Sequence, residues 1–433
     1  MNGKRGDNMQ LPEAFLERMK TELEDEFESF LKSYENPAVN ALRVNTLKTD
    51  GDELKELTGF LNERVSWCGE GYYYEGKKGS HHASIAGLFY SQEPSAMITA
   101  EKADIQKGDF VLDLCAAPGG KSTQIAAKLG GTGLLVSNEV NSGRAKILCE
   151  NIQRLGIKNA VITNMYPEKM EKTFEKFFDK IVVDAPCSGE GMFRKDPAAI
   201  AEWSIEHTHA CANRQLSILL SAEKMLKDGG RICYSTCTFA REENELLCER
   251  FINEAEDISL VEMHRMMPHK IKGEGHFCAV FEKHGEGKRK SREIKAMVNK
   301  EHEKLFREFE KENLNTFLKG DFVSFGEVLY LLPEGFGSLD KIRCVCAGTE
   351  LGEVRKGRFI PAHHLLRTLE KKDFKRTIAP DEKNLSAYLR GEELSFDGEK
   401  GYGAILYADK FPVGWYKQSQ NAVKNHYPKY LRG

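Results

Sequence analysis

Phe110-Val-Leu-Asp-Leu-Cys-Ala-Ala-Pro-Gly-Gly-Lys-Ser122 begins as an apolar run and breaks at once into a loop of small residues. The run suits a strand covered on both faces. The loop, Cys115, Ala116, Ala117, Pro118, Gly119, Gly120 and Lys121, has little side chain to keep a ligand from the backbone. A helix start behind it favours an anion. The loop matches neither G-x-G-x-x-G nor G-x-x-x-x-G-K-[ST], so a nucleoside triphosphate is not the expected ligand. Further strand-like runs follow at 134–139, 160–163, 180–184 and 231–235, with helical patterns between them at 142–155 and 214–226. Strands alternating with helices predict an α/β fold with a parallel, Rossmann-like sheet. Right-handed crossovers put its functional loops at the C-terminal strand ends. Glu139 closes the second run about 20 residues after the loop, where an acid can meet ribose hydroxyls. A small-residue turn followed by such an acid predicts an adenosine-type cofactor.

The flanks read differently. Phe15, Met19, Leu23, Phe27 and Leu31 recur every four residues, which predicts helices over 12–34, and 41–46 reads as a short strand. Residues 282–319 are densely charged, with 11 Lys and Arg against 8 acids, as in a linker followed by a solvated helix. Strand-like runs at 322–332, 342–347 and 403–414 carry Gly-rich turns between them. The expected organisation is an N-terminal α+β portion (1–95), the Rossmann-like domain (96–285) and a C-terminal α/β or β-rich region (286–433).

Net charge is −3, which excludes a uniformly basic coat but not a basic face. Residues 1–70 hold 15 acids against 9 Lys and Arg. Residues 351–376 hold 8 Lys and Arg against 3 acids, and 411–433 hold no acid at all. An acidic start and a basic end point to a polyanion partner on the C-terminal side. No run of 18 apolar residues exists, and residues 1–10 have no apolar core, so neither a membrane span nor secretion is expected. Eleven scattered cysteines without a C-x-x-C pair predict reduced thiols in a cytoplasmic protein and no metal site.

Two of those cysteines close strand runs. Asp184-Ala-Pro-Cys-Ser-Gly-Glu-Gly-Met192 places Cys187 just after Asp184, and Ser235-Thr-Cys-Thr238 places Cys237 at the neighbouring strand end. A carboxylate and two thiols on a cofactor rim suit carbon methylation of a pyrimidine. C5 of cytosine is a poor nucleophile until a thiolate adds at C6. An acid near N3 then stabilises the developing charge, and a base later removes the C5 proton.

Together, the 113–122, 184–191 and 235–238 motifs resemble the Nol/Nop/Sun family of RNA cytosine-5 methyltransferases. Within it, they are similar to the bacterial ribosomal RNA small-subunit methyltransferase F group. Leu42-Arg-Val-Asn-Thr46, Gln92-Glu-Pro-Ser95, His363-His-Leu-Leu-Arg367 and Gly414-Trp-Tyr-Lys-Gln418 extend the likeness over nearly the whole chain. The resemblance implies S-adenosyl-L-methionine as cofactor, wrapped by the 115–121 loop, with Glu139 on its ribose. It implies that Asp184 faces both cofactor and target base, that Lys121 sits beside the base or the cofactor carboxylate, that Cys237 is the nucleophile and that Cys187 assists release. Composition alone does not separate the two cysteines, since DNA cytosine-5 methyltransferases use the Pro-Cys thiol. The family often carries an Asp after the third strand for the adenine amino group. Thr163-Asn-Met-Tyr-Pro-Glu168 has none here, and Asn164 offers a carbonyl acceptor instead.

The implied substrate is small-subunit (16S) ribosomal RNA or the small subunit itself, acted on by a monomer, with RNA contacts in the N-terminal portion and a PUA-like C-terminal region. Arg43, Asn45, Arg194 and Lys195 are candidate RNA contacts, as are Trp415 and Lys417 in a basic and aromatic tail. Because C5 lies in the base stack, the target base is flipped or single-stranded. Three other readings stay open: a transfer RNA cytosine-5 methyltransferase, a non-catalytic RNA-binding assembly factor, and a small-molecule methyltransferase.

Overall fold

The computed structural model describes residues 11–75, 81–255, 257–290, 298–396, 398–419 and 423–432. The four-residue apolar spacing predicted helical structure over 12–34, and the stretch divides in two: Glu24 adopts a φ of 46° and ends the first helix, Glu13–Leu23, before a second, Phe27–Ser33. The break turns Phe27 and Phe30 onto the same apolar cluster as Phe15 and Met19. Phe15 meets Phe193 edge-on at 5.2 Å, and Phe30 meets Phe239 at 5.6 Å between ring centroids. Those partners follow Cys187 and Cys237 in sequence, so the N-terminal helices press on both cysteine loops.

Strands β1 (Ala41–Val44), β2 (Leu61–Arg64), β3 (Gly71–Tyr74) and β4 (Phe89–Ser91) form an antiparallel sheet in the order β2-β3-β1-β4. The central sheet contains β5 (Phe110–Asp113), β6 (Leu134–Asn138), β7 (Ala160–Thr163), β8 (Phe178–Asp184), β9 (Leu226–Thr236), β10 (Ile258–Met266) and β11 (His276–Lys283). β5 pairs in parallel with both β6 and β8, so the strand order reverses at β5. A crevice opens outside the strand ends at such a switch point. Because β8 and β9 are neighbours, with Asp184 opposite Ser235, the loops carrying Cys187 and Cys237 leave the sheet side by side.

The C-terminal region adds β12 (Phe322–Phe325), β13 (Val328–Leu331), β14 (Cys344–Ala347), β15 (Thr349–Arg355) and β16 (Arg358–Pro361), then β17 (Thr377–Ile378), β18 (Gly401–Tyr407), β19 (Phe411–Gln418) and β20 (Val423–Asn425). Two four-stranded sheets result, β12-β13-β15-β16 and β17-β18-β19-β20. β14 belongs to neither. It pairs antiparallel with β7, Cys344 opposite Thr163, and completes the central order β10-β11-β9-β8-β5-β6-β7-β14. Fully buried β7 would otherwise leave a bare edge. Leu385, Tyr388, Ile405 and Phe411 share one core with Leu42, Val44 and Phe89, so the two ends of the chain pack on each other.

Candidate active site

Gly119 ends the small-residue loop at φ 115°, where a Cβ would crowd Leu148 Cδ1 at 3.2 Å, and the helix Gly120–Leu129 starts behind it. Asp113 lies beneath, fully buried. Its Oδ2 accepts a hydrogen bond from Ser122 Oγ at 2.6 Å, and its Oδ1 has no partner. Burial pushes its carboxyl up to about 7, the Ser122 hydrogen bond opposes this, and the negative charge of Asp184 adds to it. The folded protein therefore holds a proton that the unfolded chain releases, between 3.8 and about 7. Stability is expected to fall as pH rises through that window, with Asp113 contributing about 1.4 kcal/mol per unit of displacement. Asp113→Asn should flatten its share of the slope in melting temperatures taken from pH 5 to pH 8.

At the end of β6, Asn138 Nδ2 donates to the carbonyls of Leu114 (3.2 Å) and Met165 (2.9 Å), binding three strand-end loops together. Glu139 is thereby aimed inward. Its Oε1 accepts from the Asn141 amide at 2.9 Å, and its Oε2 lies 3.4 Å from Arg144 Nη1.

At the end of β8, Asp184 Oδ2 lies 2.8 Å from Lys121 Nζ, and its Oδ1 accepts from Ser235 Oγ at 2.9 Å. Burial works against the Asp184 charge, yet the Lys121 ammonium, then His276, and the hydrogen bonds hold the carboxyl below its usual range. Burial likewise opposes the charge on Lys121, and Asp184 outweighs it, so the ammonium is held above its usual range. His276 Nε2 sits 3.8 Å from Asp184 Oδ1 with no hydrogen-bond partner. Burial, then repulsion from Lys121, lowers it to about 3, so it is neutral near pH 7.

Cys187 and Cys237 face each other with their sulfurs 3.3 Å apart. The hydrogen bond to Cys237, then burial, pushes the Cys187 thiol well up and keeps it protonated. The two loops are tied beneath the sulfurs. Ser188 Oγ and Thr238 Oγ1 are 2.8 Å apart, and the Gly191 amide donates to the Cys237 carbonyl at 2.8 Å. Buried Glu243 accepts from the Ser188 amide (3.0 Å), from Ser188 Oγ and from Gln215 Nε2 (2.7 Å). Buried Glu190 accepts from Arg18 (2.6 Å), Trp203 Nε1 (2.8 Å) and the Phe239 amide (3.0 Å), joining the first helix to the Cys237 loop.

These groups line one cavity of about 1100 Å³. The 115–118 run, Gly120, Lys121, Glu139, Asp184, Cys187 and Cys237 all reach it. So do Arg144, Glu274 and His276, which motif and spacing did not single out. Arg144 and His276 carry a legible signal, one in the helix start after Glu139 and one at the start of β11.

The family model described as 16S rRNA methyltransferase RsmB/F matches residues 101–287, and that of the N-terminal domain of 16S rRNA methyltransferase RsmF matches 11–94. Models of the RsmF first C-terminal domain and of the methyltransferase RsmF PUA domain match 308–369 and 375–433. Ribosomal RNA small subunit methyltransferase F of Aeromonas salmonicida is 30% identical over 98% of each chain. The chain belongs to the ribosomal RNA small subunit methyltransferase F family. A relative of the same name in Escherichia coli is 40% identical over 55% of this chain and 52% of its own. Among solved structures, a methyltransferase homolog protein from Pyrococcus horikoshii superposes with a TM-score of 0.58 at 26% identity, over 64% of this chain and 96% of that one.

Within this family member, several residues expected at the RNA or the cofactor have other work. Arg43 is 2% exposed and donates to Gln92 Oε1, to the Gly120 carbonyl (2.7 Å) and to Thr123 Oγ1 (2.7 Å), so it braces the cofactor-loop helix rather than meeting RNA. Asn45 is buried and donates to the carbonyls of Gly87 and Leu155. Arg194 pairs with buried Glu274 at 2.6 Å and donates to the carbonyls of Ser33 and Gly273. Lys195 lies 3.5 Å from the same carboxylate. Trp415 is 1% exposed, and its Nε1 donates to the Ala362 carbonyl at 2.8 Å, which places it in a core. Lys417 is exposed and lies over the Tyr402 ring. Asn164 does not reach the cavity. Its Nδ2 donates to the carbonyls of Glu139 (2.7 Å) and Val140 (2.8 Å), so it shapes the turn that presents Glu139. Tyr166, two residues on, lines the cavity instead.

Proposed function

We propose that this chain methylates C5 of cytosine in small-subunit ribosomal RNA, using S-adenosylmethionine and a covalent bond between Cys237 and C6. The observation that carries this reading is the pair of sulfurs 3.3 Å apart, in the same cavity as Asp184. The donor set fits the cofactor. The loop is free of bulky side chains, the buried Glu139 carboxylate offers two acceptors for a ribose diol, and about 1100 Å³ leaves room for a flipped base beside it.

Bound S-adenosylmethionine supplies an electrophilic methyl group. Lys121 keeps Asp184 ionised, so Asp184 can accept N–H groups on the Watson–Crick edge of the cytosine and hold the ring. The Cys237 sulfur adds to C6 as a thiolate, its proton passing to solvent, and the C5–C6 π electrons move to C5, which would take the methyl group as the cofactor's S–CH3 bond breaks and leaves a neutral thioether. A solvent base takes the C5 proton, which restores the double bond and expels the Cys237 thiolate. Cys187, held as a thiol against that sulfur, returns a proton to it. Among the described residues no helix is long and apolar enough to cross a membrane.

The test is methyl transfer from labelled S-adenosylmethionine to purified small-subunit RNA, small subunits and transfer RNA, with nucleosides identified by mass spectrometry. The expected product is 5-methylcytidine in small-subunit RNA alone. Label in transfer RNA alone would replace the substrate. Label at another atom, or in no RNA, would overturn the reading.

A further inference from the structure

The basic segment around His363-His-Leu-Leu-Arg367 has no place in the chemistry above. Its last residue, Arg367, lines a second cavity, of about 790 Å³, where all parts of the chain meet. The walls come from Lys48 after β1, from the loops entering β6 and β7 (Gly131, Gly156, Lys158), from Arg367 and Lys372, and from Lys410 in the β18–β19 hairpin. Loops that enter parallel strands sit at the edge opposite the active site. The five-residue strand β6 alone separates the two edges by about 17 Å.

Six basic side chains line this groove, in two classes. At the rim, Lys371, Lys372 and Lys410 each lie 2.7 Å from an acid: Asp409, Glu370 and Glu53. Such exposed pairs are weak and exchange readily. Lys48, Lys158 and Arg367 form no ion pair among the described residues. Arg367 is 3% exposed. Its Nη1 donates to the Pro412 carbonyl at 2.7 Å, and its Nε has no acceptor. Lys48 Nζ reaches the Ala86 carbonyl at 3.2 Å. Burial, then repulsion from Arg367 and Arg154, holds its ammonium well below the usual range. Folding therefore gathers three basic groups that no acid pairs among the described residues, although Glu370 lines the same groove beside Lys372, and an anion would favour the charged form of Lys48. Gly156 permits it. At φ 72°, a Cβ would strike the Arg367 carbonyl at 2.1 Å and crowd Lys48 Cε at 3.0 Å.

We propose that this groove binds backbone phosphates of the RNA, as a docking point on the face opposite the methylated cytosine. The inference rests on the reading that RNA is the substrate. Basic side chains from several segments around one groove suit a phosphodiester backbone, and a strand held there would grip the N-terminal, central and C-terminal parts at once.

The test uses full-length protein and end-labelled small-subunit RNA, with binding measured from about 50 to about 300 mM KCl. Lys158→Gln, at an exposed position, and Lys48→Gln are compared with wild type. Each is expected to weaken RNA binding about five-fold or more and to reduce the slope of log K against log salt by about 0.7–0.9 for each phosphate no longer neutralised. Binding of S-adenosylmethionine, read by calorimetry, should not change. Unchanged affinity and slope in both variants, with wild type still methylating RNA, would overturn the groove assignment and leave the active-site reading intact. Wild type that neither binds nor methylates RNA would overturn both. Inorganic phosphate is the second probe. If it raises the melting temperature of wild type but not of Lys158→Gln, and RNA affinity is the same in both, the groove serves a free anion and the RNA assignment falls.

Discussion

Cys237→Ala protein is expected to lose methyl transfer to RNA by a factor on the order of 10⁴ or more, and to form no RNA complex that survives a denaturing gel. Alanine removes the only atom able to bond C6 from the β9 end while leaving the loop's backbone bonds, including Gly191 N–H to the Cys237 carbonyl, in place. Cys187 is not expected to substitute: the hydrogen bond to Cys237 is lost in this variant, but burial still favours the Cys187 thiol over the thiolate. Cys187→Ala is expected to give the opposite gel result. The bond to C6 still forms, but the proton that eases departure of the Cys237 sulfur is missing, so the covalent complex accumulates while turnover falls. Both side chains are only partly buried, so melting temperatures should stay near that of wild type. A covalent band with Cys237→Ala and none with Cys187→Ala would mean that the roles are exchanged.

Much of this site is legible because its parts are local. The 110–114 run announces a buried strand, the loop after it is too poor in side chains to be a packing element, and Glu139 follows at the spacing of one strand-helix-strand unit. The neighbouring placement of Cys187 and Cys237 follows from strand adjacency alone. Parts that depend on distant partners are not legible. Arg43 looks like a phosphate contact until Gln92, Gly120 and Thr123, all far along the chain, close around it. Trp415 looks like a stacking platform until Ala362 takes its N–H. A residue's type states what it can bond, not whether folding has already supplied the partner. The same holds for β14. The 342–347 run predicts a strand, but only the exposed edge of β7 decides which sheet receives it.

Glu243 is the clearest case, since nothing in its neighbourhood marks it, and Glu243→Ala is expected to have the second-largest effect. Its carboxyl is fully buried and anchors the Cys187 loop through the Ser188 amide and hydroxyl, while Ser188 Oγ reaches Thr238 beside Cys237. Alanine leaves the Ser188 N–H without an acceptor and opens a gap against Gln215. An unpaired buried donor costs about 1–3 kcal/mol, and the gap adds to it, so a loss of about 3 kcal/mol is expected, read as a fall in melting temperature of several degrees. Turnover should fall further than stability explains, by about 10²-fold, because the separation of the two sulfurs is set from below by this carboxyl. Glu243→Gln tests that account. Burial pushes the carboxyl up to about 7, its hydrogen bonds from Ser188 and Gln215 opposing, so near neutrality it is already partly protonated. A glutamine carbonyl in the place of Oε2 accepts from Ser188 N–H and from Gln215, and its NH₂ in the place of Oε1 donates to Ser188 Oγ, which donates on to Thr238. Stability and turnover at pH 7 should therefore return to near wild type in Glu243→Gln. The variant should also lose this residue's share of the destabilisation that sets in as pH rises from 4.5 to about 7. If glutamine were as damaging as alanine, the charge of the carboxylate, and not its positioning of the two loops, would be what the reaction needs.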